Sequence, residues 1–322
     1  MTCVSIIICT RNRIELLRKT LESIAETEVP YGYSAELILV DNASTDGTTQ
    51  SVQSACLPNL RLRYLYEGRR GKSHALNSAL EAAEGEIILW TDDDVRVPRD
   101  WIAGMCGPIE QGEADITAGE VSLAPHLERA WMTPFHRIWL GDTASLPKDR
   151  LPFGVNMAFH RRVLETVPDL DTDLGPGTPI GSGEEILFIL QLKEAGFRIL
   201  TVSPVVEHNF EPTRLLYSSW KKRAKIEGRI GAYYGYHWYH GQVRFARLRA
   251  LYKALQLAWL RLSRGVLGED QEGCSVDELQ LIKYLEFFRG YVEEQKKPRK
   301  YERKAFVRRD PASSVPPRLK SA

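Results

Sequence analysis

Three carboxylates in a row, Asp92-Asp93-Asp94, follow the apolar run Ile87-Ile88-Leu89-Trp90 after a single Thr91. Adjacent like charges repel unless a cation sits between them. Hard carboxylate oxygens suit Mg²⁺ or Mn²⁺, ions that usually take one or two protein carboxylates together with substrate phosphates. The first and third side chains of such a turn can face one site; the plain alternative is a solvated acidic turn. Gly71-Lys72-Ser73, also following a strand-like run, raises the possibility of a P-loop. A Walker A motif needs a Gly five residues before its second Gly, and that position is Tyr66, so the match is incomplete.

The elements around these residues alternate short β-branched runs with helical patterns, the signature of βαβ units and a mostly parallel sheet. Val4 to Cys9 reads as a buried strand and is followed by a helix with Ile14, Leu17, Leu21 and Ile24 on one face. Glu36 to Val40, Arg61 to Tyr66 and Glu86 to Trp90 read as further strands, with a helix over Ser73 to Ala83. The polar residues then cluster at strand carboxyl ends, where an open α/β sheet binds ligands. From Trp101 to His208 the pattern is less regular, with a helix from Glu184 to Ala195 and a strand from Arg198 to Ser203. Beyond Thr213 only helices are expected. One carries Phe245, Leu248, Tyr252, Leu255, Trp259 and Leu262 as an apolar stripe, with Arg244, Arg247, Arg249, Lys253 and Arg261 on the opposite face. Another starts at Ser275 with Glu278 as a capping box.

The 322 residues, 43% hydrophobic and 26% charged, suit one large domain or two modest ones. Lys and Arg (43) nearly balance Asp and Glu (42), which argues against a nucleic-acid binder. The balance is uneven: Lys296 to Ala322 carries a net +8, leaving −7 on the rest of a chain whose total is +1. Five scattered cysteines (Cys3, Cys9, Cys56, Cys106, Cys274) read as reduced thiols in a cytoplasmic protein. No secretory signal is expected at Met1. The best apolar stretch, Ala250 to Leu262, is interrupted by Lys253 and Arg261 and falls short of the ~20 residues a membrane span needs.

Six segments in series resemble family-2 glycosyltransferases of the GT-A fold, over about Val4 to His208. They are Asn12-Arg13, Val40 to Thr48, Gly71 to Asn77, Asp92-Asp93-Asp94 as the DxD element, Gly154-Val155-Asn156-Met157 and Gly183-Glu184-Glu185. The resemblance implies a Rossmann-like, mostly parallel sheet with flanking helices as the catalytic domain (1–210, its nucleotide-sugar half 1–100 and acceptor half 101–210). A helical extension (211–295) and a basic, disordered tail (296–322) would follow. It implies transfer of a sugar from a nucleotide-diphosphate sugar, with a UDP-sugar foremost, to a carbohydrate or lipid-linked acceptor hydroxyl, with inversion. Thr10, Asn12, Arg13, Asp41, Lys72, Asn77, Asp92 and Asp93 would bind the donor, and Gly154 and Asn156 would lie on the acceptor side. Asp94, Asp92 and His208 would hold Mn²⁺ or Mg²⁺, and Glu185, with Glu184 as competitor, would be the general base, help worth about 10²–10⁴-fold.

The pair is Glu-Glu where the family has Glu-Asp, and Leu187 and Gln191 stand where an acid and an Arg are common. A non-catalytic sugar-binding or membrane-docking module is therefore the rival reading. For Glu184-Glu185 the bland account is an acidic first helical turn suited to the macrodipole; for His208 it is a satisfied structural histidine. Arg214, Trp220 and Arg223 fall on a helix that could close over the diphosphate. The basic helix faces and tail would allow peripheral contact with an anionic membrane.

Overall fold

The computed structural model describes residues 1–53, 55, 57–143, 146 and 154–307. Its first half alternates β1 (Thr2–Thr10), α1 (Ile14–Ala25), β2 (Tyr33–Asp41), α2 (Thr48–Gln53), β3 (Arg61–Tyr66), α3 (Lys72–Ala82), β4 (Ile87–Thr91) and a two-residue β5 (Val95–Arg96). There follow α4 (Trp101–Glu110), β6 (Ile116–Leu123), α5 (Pro134–Trp139), β7 (Asn156–His160), α6 (Val163–Thr166), α7 (Glu184–Glu194) and β8 (Ile199–His208). After β8 come α8 (Tyr217–Tyr233), extended by a π-helical segment Tyr234–Trp238, then α9 (Ala246–Arg264) and α10 (Val276–Glu294).

Among the described residues the strands form one sheet in the order β3-β2-β1-β4-β7-β6-β8-β5. The strands β3, β2, β1 and β4 are parallel, because helices cross back over the faces between them. Both faces are therefore covered, which is why these strands read as unbroken apolar runs. Val4, Ile6, Ile8, Leu37 and Leu39 pack into one core. Their neighbours Ile7, Ile38, Val40, Ile88 and Trp90 pack into the other, with α3 and α7. The less regular second part is a mixed extension: β7 runs antiparallel to β4 and β6, and β8 runs parallel to β6. The last strand extends past Ser203 to His208, after a register shift opposite Ala118 to Glu120.

Two further expectations change. Ser275 caps α10, its Oγ accepting from the Glu278 amide at 3.3 Å. The Glu278 carboxylate does not return to Ser275; it accepts from Tyr217 and Arg261, so only half of the capping box forms. Residues 296–307 are folded rather than disordered. Trp238 Nε1 donates to the Ala305 carbonyl at 3.0 Å, and the Val307 amide donates to Gln191 Oε1 at 2.5 Å. Lys300 is held by Asp171 and Asp173. The rest of the basic tail lies outside the described residues, as does Cys56. Cys3, Cys9, Cys106 and Cys274 are free thiols. No described helix is long and apolar enough to cross a membrane.

Candidate active site

From β1 the chain builds outward to β2 and β3, then returns to β1's other side as β4, so the strand order reverses between β1 and β4. A crevice at that reversal, outside the strand carboxyl ends, is the usual ligand site of such a sheet. Thr10 ends β1 there and Asp92-Asp93-Asp94 leave β4 there. The middle carboxylate turns inward: Asp93 accepts from Thr10 Oγ1 at 2.7 Å and from Arg13 at 2.9 Å. Burial pushes Asp93 up to about 6, with Arg13 opposing and Asp94 adding to the rise. Each of its oxygens is engaged within the protein, so Asp93 orients Thr10 and Arg13 at the cleft wall. Lys72, at the start of α3, donates to Asp92 at 2.5 Å. Burial works against the Lys72 charge, but Asp92, Glu185 and Glu184 outweigh it and raise its pKa.

Asp94 meets His208 because β5 pairs with β8, placing Val95 opposite His208. Oδ1 of Asp94 is buried, accepts no hydrogen bond among the described residues, and lies 3.3 Å from His208 Nε2. The other ring nitrogen, Nδ1, is 2.8 Å from the Leu140 carbonyl. A carbonyl can only accept, so Nδ1 carries the hydrogen, and Nε2 is the ring nitrogen that faces Oδ1. A histidine fixed through its far nitrogen by a carbonyl, with its near nitrogen beside a carboxylate, has the arrangement usual for a metal ligand. Burial opposes ionisation of Asp94, yet His208, Arg13 and Arg214 outweigh it and hold the carboxyl well below the usual carboxylate range. Gly141 permits this close fit: φ is +89°, and a Cβ there would lie 3.3 Å from Nδ1.

No three described His, Cys, Asp or Glu side chains gather as a complete metal cage. Asp94 and His208 fit an ion that takes its remaining ligands from a diphosphate and water. Asp92 lines the same cleft with one oxygen paired to Lys72.

Across the cleft, Gly183 adopts φ +103° and accepts from the Tyr234 hydroxyl, and α7 begins with the two acids in its first turn. The acidic first turn is thus real, but both carboxylates are turned into the cleft. Glu184 is buried, and its Oε2 has no hydrogen-bond partner among the described residues. Glu185 is half-buried against Gly154, where a Cβ would come within 2.5 Å of Oε2. Burial, then Glu184, push Glu185 up to about 7 against the pull of Lys72. Glu184 is also raised, mainly by burial. Leu187 and Gln191, the departures on the same helix, are buried, and Gln191 receives the Val307 amide.

Several expected residues make hydrogen bonds within the fold. Asn156 is fully buried, accepting from Trp101 Nε1 at 2.9 Å and donating to the Glu120 and Pro204 carbonyls at 2.9 and 3.0 Å. Each polar atom of its amide is engaged within the protein. Asn77 bonds both ways to the Leu170 backbone. Asn12, at φ +52°, accepts from the Thr45 amide at 2.7 Å and stitches the loops after β1 and β2 together. Asp41 is buried and accepts from the Ser44 amide at 2.8 Å and Tyr64 hydroxyl at 2.9 Å. Trp220 packs in the core beneath α10. Arg214 and Arg223 do line the cleft.

Sequence reading missed Arg11, Asn42, Trp139, Leu140, Gly141 and Ser182, which also line it. Of these only Asn42 sits in a recognisable segment; Trp139 to Gly141 arrive through tertiary packing alone.

The cleft so enclosed is about 380 Å³, with carboxylates at two ends and Arg13, Lys72, Arg214 and Arg223 around it. An α/β sheet with such a site at its reversal point matches a known class. The profile of glycosyl transferase family 2 matches residues 5–167, and the chain belongs to that family. It is 29% identical over 113 residues to the poly(ribitol-phosphate) β-N-acetylglucosaminyltransferase TarS of Staphylococcus aureus, 35% of this chain but 20% of TarS. It is 22% identical over 289 residues to the glycosyltransferase AglE of Haloferax volcanii, 88% of this chain and 90% of AglE. The fold superposes on the mannosyltransferase PcManGT of Pyrobaculum calidifontis with TM-score 0.53 at 24% identity, covering 90% of this chain and 69% of that one. The fold is GT-A with a helical C-terminal region.

Proposed function

We propose that this chain moves a sugar from a nucleotide-diphosphate sugar to an acceptor hydroxyl by a single inverting displacement, with Glu185 as general base. The observation that carries this reading is one cleft lined on one side by Asp94 and His208 and on the other by a half-buried Glu185 held up at about 7. A bound Mn²⁺ or Mg²⁺, held by Asp94 and His208, would supply Lewis-acid stabilisation of the departing diphosphate. Arg13, Lys72 and Arg214 add fixed positive charge where negative charge develops on the leaving group. Glu185 takes the acceptor hydroxyl proton as the acceptor oxygen bonds to the anomeric carbon and the carbon–oxygen bond to the diphosphate breaks. Glu185 is preferred to Glu184 because it is the more accessible of the two and a base must reach its proton. Glu184 then acts on Glu185 electrostatically, keeping its proton affinity high.

A calorimetric panel of UDP-, GDP- and dTDP-sugars with Mn²⁺, followed by product detection, tests the reading. Glu185→Gln is expected to retain donor binding and lose turnover. Donor binding with no turnover in any unsubstituted sample would instead make the chain a non-catalytic binding module.

A further inference from the structure

We infer that the outer face of α9 docks this protein on an anionic lipid membrane. The stripe Phe245, Leu248, Tyr252, Leu255, Trp259 and Leu262 is real, but it faces water rather than the core. Leu255 is 61% exposed, Trp259 70% and Leu262 86%. The helix rests on α10 and α8 through the smaller opposite face of Ala246, Leu257 and Leu260. The spacing by threes and fours keeps Leu248, Tyr252, Leu255, Trp259 and Leu262 in one row along a 19-residue helix, roughly 28 Å long at 1.5 Å per residue, with Phe245 at its N-cap. Val266 and Leu267 prolong the row past Gly265 and are also exposed. A contiguous apolar patch of that kind marks an interaction surface.

Charge names the occupant. Between Gly241 and Gly268 there are six basic residues and no acid. Arg261 and Arg264 are paired with Glu278 and Asp277 of α10. Arg244, Arg247, Arg249 and Lys253 have no acidic partner among the described residues. A second copy seated on the same face would bring these cations against their own counterparts with no acid on either helix, and like-charge contact is repulsive. An anionic bilayer satisfies both features at once: leucines and Trp259 enter the headgroup and acyl boundary while the flanking cations meet lipid phosphates. The helix is too interrupted by charge to span, so it lies in the surface. This inference does not rest on the transferase chemistry.

The test is sedimentation of the full chain with phosphatidylcholine vesicles, with and without phosphatidylglycerol. The side chains are exposed, so Leu255→Glu/Trp259→Glu should leave the circular dichroism spectrum and melting temperature unchanged. Binding to anionic vesicles is expected, weakened by about tenfold or more in that double variant and by added salt. Should the double variant misfold, Trp259→Phe supplies the second measurement: brominated lipid should quench tryptophan emission in the unsubstituted chain and do so far less in this variant. A chain ending at Val307 should bind as the full chain does. No sedimentation with anionic vesicles, binding unchanged in the double variant, quenching unchanged in Trp259→Phe, or loss of binding on truncation at Val307 would overturn the inference. So would a dimer in solution that the double variant dissociates.

Discussion

His208 and Asp94 face each other nitrogen to oxygen, Nε2 3.3 Å from Oδ1, while the far nitrogen of the same ring is fixed on the Leu140 carbonyl. The function proposed above would place a divalent cation between them, beside an Asp94 oxygen with no hydrogen-bond partner among the described residues. Asp94→Asn and His208→Ala are each expected to weaken Mn²⁺ binding, measured by calorimetry with a nucleoside diphosphate present, by at least about tenfold. Unchanged affinity would make the pair a buried contact that merely ties β5 to β8.

Glu185 gives a pH signature of definite sign. Its ordinary value is 4.5 and burial beside Glu184 pushes it up to about 7, so between those values the folded chain holds a proton that the unfolded chain releases. The stability associated with the neutral group is complete below 4.5 and is lost as pH rises through about 7. Glu185→Gln should therefore melt above the unsubstituted protein at pH 8 and close to it at about pH 4.5. Turnover of the unsubstituted enzyme should rise with pH through about 7, as the base loses its proton.

Asn156 separates positioning from binding. Alanine there would strand Trp101 Nε1 and the Glu120 and Pro204 carbonyls in the interior. A loss of roughly 1–3 kcal/mol in denaturant unfolding is expected, with donor affinity unchanged in the protein that remains folded. A selective rise in acceptor KM without loss of stability would return Asn156 to the acceptor site.

The C-terminal segment is part of the fold up to Val307. A chain ending at Gln295 loses the partners of Trp238 Nε1 and Gln191 Oε1, and leaves the buried Asp171 with Tyr233 but without Lys300 and Tyr301. Thermal melts should show it less stable than a chain ending at Val307 by roughly 1–3 kcal/mol. Equal melting temperatures would mean that these contacts add nothing to stability.

Much of the scaffold was legible because its signals are local. The apolar runs of β1, β2 and β4 announce strands covered on both faces, and the polar residues at their ends announce the edge where a site would form. Arg13, Lys72, Asp92, Asp94, Glu184, Glu185 and His208 all line the one cleft. The α9 stripe was legible too, but its direction was not. Amphipathic spacing says that a helix has two unlike faces; only packing on α10 decides which of them meets protein.

The sequence by itself determined the α/β class, the order of the parallel strands' motifs and the identity of the charged groups, since each depends on residues adjacent in the chain. Tertiary structure alone decided what those groups do to one another. Asp94 has His208 as its neighbour only through the pairing of β5 with β8, 114 positions apart in number. Asp93 lines the cleft already paired with Thr10 and Arg13, and Asn156 is tied into the interior by Trp101 and two distant carbonyls. Burial and hydrogen-bond saturation are properties of the assembled neighbourhood, and they separate a carboxylate or amide that can meet a ligand from one already satisfied by the protein.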